Sequence, residues 1–138
     1  MTRILIVDHE VDVAESLAVL FAGMGHDAKA VLDARQALDV AKAFRPRIAL
    51  LDLSMPQLDG FQLASALRSL PDIDPPYLIA LTPLDGARVN TAVKAVGFDT
   101  YVRKPADVMT LISIVTEVAA QQQSRHGIDP PGEVPGRR

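Results

Sequence analysis

Cysteine is absent from the 138-residue sequence, which excludes disulfide frameworks, thiolate metal ligands and cysteine nucleophiles. A surplus of basic residues is also absent, because 14 Lys and Arg stand against 17 Asp and Glu, so electrostatic binding of nucleic acid is not expected. No apolar run approaches the roughly 20 residues that span a bilayer, and the run after Met1 is too short for a signal peptide. We therefore expect one cytoplasmic domain without a membrane or nucleic-acid partner.

The composition changes near residue 120. Residues 121–138 are rich in Gln, Pro and Gly and hold few large apolar side chains. Such a segment buries too little apolar surface to offset the entropy lost on ordering. We predict a folded domain over residues 1–120 and a disordered tail or truncated linker over residues 121–138.

Short apolar runs alternate with helical patterns through residues 1–120. Continuous runs occupy residues 3–7, 48–51 and 77–81, with weaker candidates at 27–31 and 100–103. Continuous apolar runs are typical of strands that are buried on both faces of a parallel sheet. The segments between them, and the one that follows the last, carry apolar residues at helical spacing. This alternation predicts an α/β fold, a flavodoxin-like doubly wound parallel sheet of five strands in the order 2-1-3-4-5 with five helices.

Polar residues stand where several of these strands end. Asp8 and Asp52 follow the first and third runs, Thr82 follows the fourth, and Lys104 follows the fifth. The predicted strand order brings all of them to one edge of the sheet. Carboxylate oxygens suit Mg²⁺, and a carboxylate beside a dication can attack a phosphoryl group while Lys and Thr bind its oxygens. The alternative is that the aspartates only cap the helices that follow them.

Residues 1–120 resemble the receiver domain of two-component response regulators. The resemblance rests on four segments in chain order: Ile6-Val7-Asp8, Asp52-Leu53-Ser54-Met55-Pro56-Gln57-Leu58-Asp59-Gly60, Leu81-Thr82 and Tyr101-Val102-Arg103-Lys104-Pro105. It implies a signalling switch in which Asp52 accepts a phosphoryl group from a histidine kinase or a phosphotransfer protein. It does not imply an enzyme in the usual sense, although such a domain assists its own phosphorylation and dephosphorylation.

The resemblance also assigns roles around Asp52. Mg²⁺ would be held by Asp8, Asp52 and the backbone carbonyl of Ser54. Thr82 and Lys104 would bind the phosphoryl group, and Thr82 together with Tyr101 would act as the switch. The peptide bond between Lys104 and Pro105 would be cis.

The resemblance further implies that partner binding or self-association uses the face made by helix 4, strand 5 and helix 5. One observation in the sequence agrees with this, since Ile114 and Val118 lie beside the inward stripe of helix 5 as surplus apolar residues. The alternative is that Ile114 and Val118 belong to a broad contact between helix 5 and the core.

The sequence departs from the family pattern at two places. His9 stands where the family usually has a second acid, so a weakened Mg²⁺ site is expected, and Pro83 replaces the small residue that normally follows the switch threonine. His9 is either a metal ligand or a simple loop histidine. Glu10 either reaches the metal through water or only favours the first turn of helix 1.

Two other functions remain open from the sequence. A pseudo-receiver of the same fold would be a protein-interaction module that no longer takes phosphate, which His9 and Pro83 favour. A flavodoxin-like ligand binder or hydrolase ranks last, because the loops after strands 1 and 3 are not rich in Ser, Thr and Gly. No output domain follows the receiver, so we expect a stand-alone regulator or a piece of a larger regulator or hybrid kinase.

Overall fold

The computed structural model of the chain describes residues 1–54, 60–84 and 86–127. The centre of the phosphoacceptor segment, Met55 to Asp59, therefore lies outside the described residues, as do residues 128–138 of the predicted tail. The elements run in the order β1 (Arg3–Val7), α1 (Val11–Gly23), β2 (Asp27–Val31), a 3₁₀ turn (Ala34–Gln36), α2 (Ala37–Phe44), β3 (Ile48–Asp52), α3 (Gly60–Arg68), β4 (Tyr77–Thr82), α4 (Ala87–Ala95), β5 (Thr100–Arg103) and α5 (Val108–Gly127).

The strands form one parallel sheet in the order β2-β1-β3-β4-β5, which confirms the predicted fold class and strand order. Val7 pairs with Leu51, and Asp52 pairs with Leu81. Thr82 at the end of β4 pairs with Arg103 at the end of β5. The carboxyl ends of β1, β3, β4 and β5 are thus aligned, and this alignment positions the side chains that follow them.

The core has two layers because successive side chains of each strand point to opposite faces of the sheet. Leu5 and Leu51 belong to the cluster with α2, α3 and α4, while Ile6 and Leu50 belong to the cluster with α1 and α5. These strand residues are almost fully buried. Since each such side chain contributes about 1.5–3 kcal/mol when buried, the central strands are a rigid support for the residues at their ends.

The structure decides between the two readings of the apolar residues Ile114 and Val118 on α5. Val118, predicted to be surplus apolar surface, is only 6% exposed and belongs to the core cluster with α1, and Ile114 packs partly against the same cluster. The alternative of a wide core contact is therefore right for these residues. The helix α5 extends to Gly127, since Gln and Arg favour helix and the next proline is Pro130. The division of the chain into a folded domain and a tail at residue 120 stays a prediction. Among the described residues, no helix has the length and apolar character needed to cross a bilayer.

Candidate functional site

The structure brings Asp8, Asp52, Thr82 and Lys104 together at the carboxyl edge of the sheet, as predicted. Asp52 and Thr82 are the last residues of β3 and β4, while Asp8 and Lys104 come directly after β1 and β5. Backbone hydrogen bonds extend past the strand ends, from the Asp8 amide to Val31 (3.1 Å) and from the Lys104 amide to Thr82 (2.7 Å). Asp8, Asp52 and Thr82 are each at most 3% exposed, so reactive polar groups lie buried at this edge.

Each buried carboxylate accepts hydrogen bonds from its own loop through one oxygen. Oδ1 of Asp8 accepts from the Glu10 amide at 3.0 Å. Oδ1 of Asp52 accepts from the Ser54 amide at 2.9 Å and from the Ser54 hydroxyl at 2.6 Å. These bonds close local turns directly after the strands and are not helix caps. The remaining oxygen of each carboxylate faces the residues that share the site.

Lys104 is the cation that both carboxylates share. Its Nζ atom lies 3.4 Å from Oδ2 of Asp8, 3.3 Å from Oδ2 of Asp52 and 2.9 Å from Oε1 of Glu10. Burial lowers the pKa of Lys104, but the contact with Glu10 and the charges of Asp8 and Asp52 outweigh burial, so the pKa is raised. The side chain is therefore a permanent positive charge at neutral pH.

The two aspartates differ in how their environments act on the carboxyl group. Burial raises the pKa of Asp8 above its usual value, and the nearby charge of Asp52 adds to this effect. Burial also acts to raise the pKa of Asp52, but the hydrogen bonds from Ser54, with the charge of Lys104, outweigh it and hold the pKa below its usual value. Asp52 is consequently the carboxylate that is ionised most readily, which is the state a nucleophile needs.

His9 faces the site, and the choice between a metal ligand and a loop histidine stays a prediction. Its Nδ1 atom lies 3.1 Å from Oδ2 of Asp52 and 4.0 Å from Oδ1 of Asp8. Glu10 occupies the position before α1, makes no side-chain cap, and directs its carboxylate to Lys104. Its described role is thus an ion pair with Lys104.

The donor set fits a small divalent cation. Asp8, His9 and Asp52 each offer one ligand atom, and these atoms lie within 4.8 Å of one another. Two buried carboxylates supply the oxygen ligands that Mg²⁺ requires, and one imidazole stands where a third carboxylate was expected. The carbonyl of Ser54 as a further ligand stays a prediction.

The residues assigned to the switch lie on neighbouring strands, with Thr82 the last residue of β4 and Tyr101 the second residue of β5. The hydroxyl of Thr82 accepts a hydrogen bond from the Leu84 amide at 3.1 Å, across the exposed Pro83. Tyr101 is half-buried and packs against the core cluster that includes Val93 of α4. The Lys104–Pro105 peptide bond is cis, which confirms that prediction.

Two contacts were missed by reasoning from the sequence. The Ser54 hydroxyl donates a hydrogen bond to Asp52. The family resemblance implies a role for Ser54 only through its backbone carbonyl. The spacing Asp-x-Ser was an available signal, because an Asp side chain commonly bonds to groups two residues later. No pattern in the sequence indicated the direction of the His9 ring.

Comparison with known proteins gives the chain a family. The sequence model of the response regulator receiver domain matches residues 4–116. The response regulator MprA of Mycolicibacterium vanbaalenii is 37% identical over 111 residues, which cover 80% of this chain and 47% of MprA. An uncharacterised 14.6-kDa protein of Leptolyngbya boryana is 31% identical over 114 residues, which cover 83% of this chain and 87% of that protein. The chain therefore spans about half of MprA and most of the smaller relative.

A solved structure supports the same assignment. The signal receiver domain of a signal transduction histidine kinase from Syntrophus aciditrophicus superposes with a TM-score of 0.78 at 27% sequence identity. The match covers 93% of this chain and 97% of that domain. The chain is thus similar both to part of a response regulator and to a receiver domain within a histidine kinase.

Proposed function

The chain belongs to the response regulator receiver domain family, and we propose that Asp52 accepts a phosphoryl group from a phosphohistidine of a histidine kinase or phosphotransfer protein. The observation that carries the proposal is the state of Asp52: a buried carboxylate with a lowered pKa, 3.3 Å from the ammonium of Lys104. Membership of the family makes the chain a domain of two-component signalling. The flavodoxin-like ligand binder or hydrolase is thereby set aside.

In the proposed step, a carboxylate oxygen of Asp52 forms a bond to phosphorus while the bond from phosphorus to the histidine nitrogen breaks. The electron pair of that bond stays on the imidazole nitrogen of the donor. The imidazole leaves as a neutral ring, either with the proton that its other nitrogen already carries or with a proton taken from water. The product on Asp52 is an acyl phosphate. Lys104 stabilises the charge on the phosphoryl oxygens, and its raised pKa keeps it protonated while it does so.

Magnesium is the cation we propose for this reaction, held by Asp8, Asp52 and the backbone carbonyl of Ser54. When bound, the ion would supply positive charge that neutralises the phosphoryl oxygens. Asp8 would stay a ligand throughout the transfer, because its side chain is held by the Glu10 amide and by Lys104 and forms no bond to phosphorus. His9 supplies no negative charge, so we expect weaker Mg²⁺ binding than a second acid would give.

Thr82 and Tyr101 form the switch in this proposal. The Thr82 hydroxyl now accepts a hydrogen bond from the Leu84 amide at 3.1 Å. In the phosphorylated state it would give up this bond and donate a hydrogen bond to a phosphoryl oxygen. A cavity of about 300 Å³, lined by Thr82, Phe61 and Val89 among others, lies next to this hydroxyl. Tyr101 packs against the same core cluster as Val89, so an inward movement of its ring would follow rearrangement on the α4 side.

The face made by α4, β5 and α5 is the output surface that we propose for downstream partners or a second copy. A surface cavity of about 700 Å³ on the β5 and α5 side of this face is lined by Tyr101, Arg103 and Asp107 among others, and Met109 of α5 is 67% exposed. Exposed apolar surface beside charged groups is the composition that transient interfaces use.

The experiment is incubation with acetyl phosphate and Mg²⁺ followed by measurement of the intact mass. We expect one phosphoryl group on the wild type and none on Asp52→Asn, while Asp72→Asn, which changes an exposed aspartate, serves as the matched control. Absence of any mass gain in the wild type, with folding verified by circular dichroism, contradicts the proposal. That result favours a pseudo-receiver, for which His9 and Pro83 are the supporting features.

A further inference from the structure

We propose that His9 makes the cation site selective for first-row transition-metal dications that accept imidazole, relative to Mg²⁺. The inference concerns the site of the proposed function and deepens it by naming the class of cation. Its basis is the placement of one nitrogen donor among carboxylate oxygens, with Nδ1 of His9 3.1 Å from Oδ2 of Asp52.

The separation of the two donors suits a shared cation. Two ligands at about 2.1–2.2 Å from an octahedral ion, at a right angle to each other, lie about 3.0 Å apart. The Nδ1 to Oδ2 distance of 3.1 Å is close to that value. Oδ1 of Asp8 lies 4.0 Å from the same nitrogen, a distance that two ligands of one ion span at a wider angle. The three side chains are thus close enough to share one small cation after adjustment of the Asp8 and His9 side chains.

The chemistry of the donors determines which cation gains from this arrangement. Mg²⁺ binds oxygen ligands, and its affinity for a site depends mainly on the charge of those ligands. An imidazole in place of a carboxylate therefore lowers the affinity for Mg²⁺. Cobalt, nickel and zinc ions bind imidazole well, and their affinity for mixed nitrogen and oxygen sites exceeds that of earlier ions. The same substitution that weakens Mg²⁺ binding thus preserves or increases the binding of these ions.

The surroundings favour His9 as a ligand of fixed position. Its side chain is 37% exposed, whereas those of Asp8 and Asp52 are fully buried, so the imidazole covers the two carboxylates at the entrance of the site. Glu10, the other acid of this loop, binds Lys104 at 2.9 Å and does not join the donor cluster. Within the part of the chain that the structure describes, His9 supplies the nitrogen donor of this cluster.

The test uses Co²⁺ as the probe and the unphosphorylated full chain in a buffer without a phosphodonor. Calorimetric titration gives the dissociation constants for Co²⁺ and for Mg²⁺ in the wild type and in His9→Asp. We expect the ratio of Mg²⁺ to Co²⁺ dissociation constants to be at least tenfold larger in the wild type than in His9→Asp. An equal ratio in both proteins overturns the inference.

Two further variants keep the result decisive. His9→Asn adds no carboxylate and offers an amide oxygen in place of the imidazole nitrogen. A reduced ratio of dissociation constants in this variant therefore separates the effect of the nitrogen donor from that of an added negative charge. His126→Asp controls for Co²⁺ bound by another histidine and is expected to match the wild type. In the wild type with Co²⁺, NMR should show strongly shifted ring protons that disappear in His9→Asn; unshifted His9 ring protons with Co²⁺ bound refute the proposed ligand.

Failure of this inference is distinguishable from failure of the proposed function. Phosphorylation by acetyl phosphate is measured separately at saturating Mg²⁺. An equal ratio together with normal phosphorylation leaves a receiver in which His9 only donates a hydrogen bond to Asp52. Absent phosphorylation together with selective Co²⁺ binding leaves a metal-binding pseudo-receiver.

Discussion

The ammonium of Lys104 lies 3.3 Å from the Oδ2 atom of Asp52, close enough to serve as the counterion of the proposed phosphoacceptor. The same ammonium lies 3.4 Å from Asp8, so one positive charge compensates a pair of buried carboxylates. A dication placed between these carboxylates experiences repulsion from that ammonium. Lys104 therefore contributes to the stability of the domain and, at the same time, competes with the site cation.

Replacing Lys104 by Met should lower the free energy of unfolding in EDTA by about 1–3 kcal/mol, because it leaves two buried carboxylates without their counterion. The same variant should bind Mg²⁺ several-fold more tightly, since the competing charge is gone. Chemical denaturation and calorimetry measure the two effects. Lys94→Met removes an exposed lysine of α4 and should change neither quantity. Weaker Mg²⁺ binding by Lys104→Met than by the wild type would contradict the claim that the Lys104 ammonium competes with the site cation.

Lys104→Met should still accept a phosphoryl group at Asp52, although its response should be weakened. The reason is that Lys104 is placed to pair with the phosphoryl oxygens, and its absence removes a contact that only the phosphorylated state makes. Chemical shifts in α4 should change less on phosphorylation than they do in the wild type. Undiminished changes in α4 would show that another group reads the phosphate.

Replacing Asp8 by Asn should raise the free energy of unfolding at neutral pH in EDTA by on the order of 1 kcal/mol. Burial and the charge of Asp52 raise the pKa of Asp8, so the native state binds a proton more readily than the unfolded chain does. The wild type therefore loses stability relative to the variant as the pH rises through the range from the usual aspartate value to the raised one.

Denaturant titrations of wild type and Asp8→Asn across this pH range measure the effect. The gain of the variant should shrink as the pH falls toward and below the usual aspartate pKa. Added Mg²⁺ should stabilise the wild type and not the variant, because Asp8 is a proposed ligand. A gain that is independent of pH would assign the stabilisation to something other than the charge of Asp8.

Replacing Thr82 by Val should allow phosphorylation of Asp52 but abolish most of the structural response in α4. The two side chains have nearly the same shape, so the buried position stays filled while the hydroxyl that accepts from Leu84 is lost. Intact mass measures the first result and NMR the second. A phosphorylated variant whose α4 shifts match those of the wild type would remove Thr82 from the switch.

Replacing Val118 by Ala should destabilise the domain by about 1–2.5 kcal/mol, because the side chain is part of the core between α5 and α1. Val19→Ala provides the matched control, since Val19 is 72% exposed, and should stay within about 0.5 kcal/mol of the wild type. Denaturant unfolding measures both. Equal effects would return Val118 to the surface role that the sequence suggested.

Much of the site follows from the sequence because it depends on topology. Asp8, Asp52, Thr82 and Lys104 each follow a continuous apolar run, and a parallel sheet aligns the carboxyl ends of such runs. The direction of the His9 ring is a different kind of fact. It depends on a loop rotamer and on the position of Asp52, which is 43 residues away in sequence, and no periodicity encodes either.

The burial of Val118 and the end of α5 could not be settled from the sequence for a related reason. A helical pattern shows which face is apolar but not how wide the contact with its neighbours is. Val118 belongs to the same core cluster as residues of α1, and the apolar pattern of α5 carries no information about α1. The composition of residues 121–127 is polar, yet Gln and Arg continue a helix as readily as they form a linker.

The backbone hydrogen bond from the Lys104 amide to the Thr82 carbonyl oxygen joins the chain just beyond β5 to the end of β4. An amide held in this way exchanges its proton for deuterium only when the local structure opens. The Lys104 amide is consequently a built-in reference for exchange experiments. A constant rate on phosphorylation means that side chains alone carry the signal, whereas a faster rate means that β4 and β5 separate at their ends.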